Sequence, residues 1–136
     1  MGYTHYFEQT KAFTTPEWTN ITTAAKAIIA KLPSDLIHGG DGRGDPIVSK
    51  LEINLNGSEV DDQCHETFSI TKAKNPDFNF CKTARKPYDV AVTAILCIVE
   101  HFAPGKLDIG SDGCAAEWAA GLALAQRHCP DVKIPP

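Results

Sequence analysis

The chain has 136 residues, 43% of them apolar and 22% charged, with a formal net charge of -4. That size and balance predict a single domain over residues 1–136 with a core of its own, and exclude a disordered chain. The acidic total argues against a nucleic-acid polymer as partner, since phosphate backbones are held by an excess of lysine and arginine.

The opening Met-Gly-Tyr-Thr-His-Tyr-Phe lacks a basic n-region and an apolar h-region, so no secretory signal is expected. Residues 3–8 alternate and are rich in strand formers, with Tyr3, His5 and Phe7 on one face and Thr4, Tyr6 and Glu8 on the other. A helix is predicted over residues 16–32, capped by Thr15, with Pro16 at the first helical position where a missing N–H costs nothing. Trp18, Ile21, Ala25, Ile28, Ile29 and Leu32 recur along it at spacings of three and four, the stripe of a helix packed on a sheet. The glycine-rich stretch from His38 to Pro46 then interrupts regular structure.

Leu51, Ile53 and Leu55 alternate with Glu52 and Asn54 as a half-buried strand, and Asn56-Gly57 reads as a hairpin turn. A second short strand is predicted over residues 67–71, and a third where Phe78 and Phe80 alternate with Asn79 and Cys81. The helix predicted over residues 87–102 is apolar almost all round, which marks it as central and buried, and Pro104-Gly105 ends it. A short strand over residues 107–109 follows, then Ser111-Asp112-Gly113 as a turn and cap. A last helix running to about His128 carries Trp118, Leu122, Ala125 and Cys129 on its inner stripe. Both Trp18 and Trp118 are expected to be buried. The order β-α-β-β-β-α-β-α predicts an α+β domain, a mostly antiparallel sheet with about three packed helices. The longest apolar stretch, residues 90–99, falls short of the roughly 20 residues that span a bilayer, so no membrane partner and a soluble, intracellular protein are expected.

The five cysteines are odd in number, and no two are spaced Cys-x-x-Cys. They are expected as free thiols in a reducing compartment with no bound metal, Cys97 acting as a small hydrophobe. His5, His38, His65, His101 and His128 are scattered, and there is no Gly-x-Ser-x-Gly elbow, so no catalytic residue or cofactor is assigned.

Charge is the most informative local signal. Residues 72–86 carry five basic side chains and one acid, while the rest of the chain carries eight basic and sixteen acidic ones. Lys82, Arg85 and Lys86 fall where a strand passes into the buried helix, whose N-terminal N–H groups also favour anions. Thr83 adds a hydroxyl, and arginine alone can hold two phosphate oxygens at once. Tyr88 follows directly, and Tyr3, His5 and Tyr6 supply rings that would stack on a base. The glycine loop lacks Gly-Lys-Ser/Thr and the dinucleotide fingerprint, but it allows close backbone approach and brings Asp41 as a ligand-binding candidate.

Gly-Tyr-Thr-His-Tyr at residues 2–6, Phe-Cys-Lys-Thr-Ala-Arg-Lys-Pro-Tyr-Asp at 80–89, and Ser-Asp-Gly followed by Trp118 carry a resemblance. The chain resembles, from end to end, a widespread group of small uncharacterised bacteriophage proteins. That resemblance implies a phage accessory protein acting in the cytoplasm of the infected bacterial host. With the basic segment, it leads to the expectation of a non-enzymatic binder that sequesters a phosphorylated small molecule. The molecule expected is a nucleotide-derived immune signal of the cyclic nucleotide or ADP-ribose type, held so as to counter anti-phage defence. One alternative is an enzyme degrading such a nucleotide, with Asp41, Asp112 and His5 as its acid–base candidates. The other is an inhibitor of a host protein, which requires an exposed apolar patch. A homo-oligomer is compatible with each.

Overall fold

The computed structural model describes residues 2–75 and 79–135. Its elements are β1 (Thr4–Gln9), α1 (Thr15–Ala30), β2 (Ile47–Val48), β3 (Glu52–Leu55), β4 (Phe68–Thr71), β5 (Phe80–Lys82), α2 (Asp89–Phe102), β6 (Leu107–Ser111) and α3 (Ala115–His128). The fold is α+β, and the helices and strands follow the expected order with the two-residue β2 added. The strands form two three-stranded sheets, ordered β5-β1-β6 and β2-β3-β4, and every pairing is antiparallel.

β1 is the centre of the first sheet. His5 lies opposite Cys81 of β5 and opposite Ser111 of β6. Its alternation buries Tyr3, His5, Phe7 and Gln9. α2 runs through the middle of the molecule, with every residue from Ala91 to Val99 buried, and it packs against both α1 and α3. Trp18 and Trp118 are both buried, as their helical phases require. The described residues include no helix long and apolar enough to cross a membrane. All five cysteines stand as free thiols, with Cys81 and Cys97 inside the core.

Several local expectations are corrected. The cap of α1 is Thr14, one residue earlier than expected. Its hydroxyl accepts the Glu17 N–H and the Glu17 carboxylate accepts the Thr14 N–H, a reciprocal pair that outcompetes a cap at Thr15. Leu51 stays outside β3 and is 73% exposed. Asn56-Gly57 is no hairpin turn, because β3 and β4 are joined by the whole of residues 56–67. Asn56 is instead a buried brace: its Nδ2 donates to the Gly40 and His65 carbonyls, and its Oδ1 accepts the Gly57 and His65 N–H groups. α2 begins at Asp89 rather than at Pro87. Asp112 caps no helix, since the N-cap of α3 is Cys114, and its Oδ2 accepts the Thr4 N–H at 3.0 Å. Phe78 lies outside the described residues, whereas Phe80 and Cys81 form β5 as expected.

Candidate functional site

The pairing of β1 with β6, and the start of α2 beneath them, bring together a polar cluster. His5 is wholly buried between two aromatic edges, its ring centroid 5.1 Å from that of Tyr3 and 5.3 Å from that of Trp118, both nearly perpendicular. Its Nε2 lies 2.6 Å from Asp89 Oδ1 and its Nδ1 lies 2.7 Å from Ser111 Oγ. Asp89 Oδ1 also accepts the Thr83 hydroxyl at 2.6 Å. Ser111 Oγ accepts the Gly113 N–H at 2.9 Å and the Trp118 Nε1–H at 3.1 Å.

Two N–H donors already occupy acceptor sites of Ser111 Oγ, which also lies within hydrogen-bond distance of His5 Nδ1. The other ring nitrogen, Nε2, faces the Asp89 carboxylate. Serine, histidine and aspartate thus stand in the row familiar from acyl-transfer enzymes. The chemistry of such enzymes needs an oxygen lone pair free to attack, and here both are engaged by N–H groups. The row is therefore a satisfied internal network tying β1, β6, α2 and α3 together.

Arg85 lies on the outer side of this network. The link from β5 to α2 turns through Ala84 (φ 53°) and Arg85 (φ 57°), both left-handed and neither glycine. That conformation costs roughly 1–2 kcal/mol per residue, and such strain tends to gather at functional sites. The Thr83–Asp89 hydrogen bond and the Lys86 N–H to the Thr83 carbonyl hold the turn closed. The Arg85 guanidinium lies over the Tyr3 ring, 4.2 Å from its centroid, and its Nε donates to Glu117 Oε2 at 2.8 Å. Burial, then the negative charges of Asp89 and Glu117, push the Tyr3 phenol up to about 12. The Arg85 hydrogen bond in turn holds the Glu117 carboxyl below its ordinary range.

Of the residues singled out from sequence, the fold gathers Tyr3, His5, Thr83 and Arg85. Lys82 is on β5 opposite Thr4, its backbone N–H bound to Glu66 Oε1. Lys86 points to Asp62, 3.3 Å away, rather than toward Arg85's partner Glu117. Tyr88 is wholly buried, its hydroxyl donating to the Glu66 carbonyl at 2.6 Å beside Cys81. Tyr6 is on the opposite face of β1 from His5, between Phe80 and Gly110. Asp41 belongs to the glycine loop, where it accepts the Arg43 N–H and the neighbouring Gly42 packs against Glu59 and Cys64.

Asp89, Ser111, Trp118 and Glu117 complete the site and are not among the ligand-binding residues expected from sequence. The one available signal was His5 itself, a histidine on the inner face of a strand whose ring nitrogens would need partners. A cleft of about 310 Å³ opens beside Ser111, Gly113, Cys114 and Trp118. Compared with known proteins, the chain matches no family model, no curated protein and no solved structure.

Proposed function

We propose that this chain is a binding protein for a phosphorylated small molecule, with Arg85 as the principal phosphate contact. The observation that carries the reading is the presentation of Arg85. It sits in a left-handed turn built on a buried polar network, and its guanidinium is spread over Tyr3. Glu117 engages only Nε, which orients the group while both terminal nitrogens remain without a hydrogen bond among the described residues. That pair of terminal nitrogens is the fork that takes two phosphate oxygens at once. The saturated Ser111 oxygen favours binding over hydrolysis. The biological reading is that of a phage accessory protein sequestering a nucleotide-derived signal in the infected cell. Its support is the resemblance carried by residues 2–6 and 80–89.

Calorimetry with cyclic dinucleotides and ADP-ribose derivatives tests the reading. A charge-assisted hydrogen bond contributes roughly 1.5–3 kcal/mol, so Arg85→Ala should weaken binding about 10- to 100-fold. Arg85→Lys should recover only part of it, and added salt should weaken the wild type. An Arg85→Ala protein that binds as tightly as wild type removes Arg85 from the site. Conversion of the ligand to product by the wild type replaces the binder with the degrading enzyme.

A further inference from the structure

A cavity of about 650 Å³ lies away from Arg85, between α1 and the turn joining β2 to β3. That volume is within the range of small-molecule sites. Its lining holds three lysines, four threonines, Ser49 and Trp18, and no acid. We propose that this groove is a second anion site, for a small oligophosphate held by Lys26, Lys50 and Lys72.

The charge pattern is the first support. Arg43, Arg85, Lys86 and Lys106 each face a carboxylate within 4 Å. Lys26, Lys50 and Lys72 are three of the nine basic side chains that form no ion pair among the described residues, and these three line one concavity. Three like charges around one concavity repel each other and raise the local potential, which a bound polyanion relieves.

The helix supplies the second. Thr15, Thr19, Thr22, Thr23 and Lys26 fall on one face of α1, beside the buried stripe of Trp18, Ile21 and Ala25. Threonine is a poor helix former because its branched side chain crowds the preceding turn. Four of them in a 16-residue helix do not serve helix stability, but they line the groove with hydroxyls. Thr22 returns its proton to the Thr19 carbonyl, and Thr15 Oγ1 accepts from Lys72 Nζ at 2.6 Å. That bond places the Lys72 ammonium at the head of the threonine row with two donors to spare. Trp18 Nε1 donates to the Ser49 carbonyl at 2.9 Å, which fixes the opposite wall against α1.

The chemistry of the lining narrows the ligand. Lysines act as separate point charges and offer no planar fork. Trp18 is only 3% exposed, so no ring face is open for stacking on a base. The groove therefore recognises charge spread along a chain of phosphates rather than a nucleobase.

The probe is inorganic tripolyphosphate, titrated into the full chain and followed by amide chemical shifts and calorimetry. Shifts should concentrate in residues 15–26, 49–51 and 72, with an affinity at least tenfold above that for orthophosphate. Lys26→Ala combined with Lys50→Ala should weaken binding tenfold or more. Both side chains are exposed, so the variant should fold, and the wild-type shift map needs no variant at all. Arg85→Ala should keep the shifts in residues 15–26, 49–51 and 72, whatever tripolyphosphate does at residues 83–86, which separates this site from the one under Proposed function. Absence of shifts in the groove, unchanged binding by the double variant, or tighter binding of a single-stranded oligonucleotide overturns the proposal. Shifts confined to residues 83–86 overturn it while leaving the Arg85 reading intact.

Discussion

Ser111 Oγ is hydrogen-bonded to His5 Nδ1 and accepts from the Gly113 N–H and the Trp118 Nε1–H, so its removal strands three groups at once. A buried polar group left without a partner costs roughly 1–3 kcal/mol. Ser111→Ala should therefore destabilise the fold by at least about 2 kcal/mol, read as a fall in the urea midpoint. A nucleophilic serine would behave in the opposite way, with stability kept and turnover lost. A midpoint shift equivalent to less than about 0.5 kcal/mol would contradict the network assignment. The sequence marks only one member of this row. His5 is separated from Asp89 by 84 residues and from Ser111 by 106, so no spacing motif connects them. They meet through strand register and the placement of α2, which long-range packing decides.

Helix phases are the most legible elements, because a stripe of spacing three and four is a property of the chain alone. That is why Trp18 and Trp118 fall inside as expected. Helix ends are less legible, since Thr14 and Thr15 are both good caps and only the reciprocal bond with Glu17 chooses between them. Asn56-Gly57 misleads for a related reason: a buried Asn side chain with partners on two loops outweighs its turn preference. Packing between helices also reverses a propensity. Gly→Ala inside a helix ordinarily gains about 1 kcal/mol. At Gly121 a Cβ would strike Thr93 Oγ1, which is itself bonded to the Asp89 and Val90 carbonyls of α2. Gly121→Ala should thus lower the melting temperature, with a cost of about 1–3 kcal/mol for overpacking. A higher melting temperature would mean that α2 and α3 do not approach this closely.

Across the whole molecule, charge was legible as an amount but not as a map. The excess of cations in residues 72–86 is real in the sequence, yet Arg85 and Lys86 meet acids from α3 and the segment before β4, and Lys72 joins a groove on α1. Partners contributed by distant segments decide where a local charge excess ends up.

Burial across the core sets the alkaline limit of stability. Burial pushes the Cys81 and Cys97 thiols up to about 12 from an ordinary 9, and Tyr3 up to about 12 from 10; Tyr88 is raised as well. The unfolded chain releases these protons first, so a rising pH favours unfolding. The stability tied to them is full below about pH 9 and declines progressively as the pH climbs toward about 12. Urea midpoints measured at intervals from neutral pH upward should be level to about pH 8.5 and then fall steeply. Cys97→Ala removes one of the groups and should flatten that fall, although its small cavity lowers the neutral-pH midpoint. A wild-type midpoint that stays constant to about pH 11 would show that these thiols and phenols reach water in the folded protein.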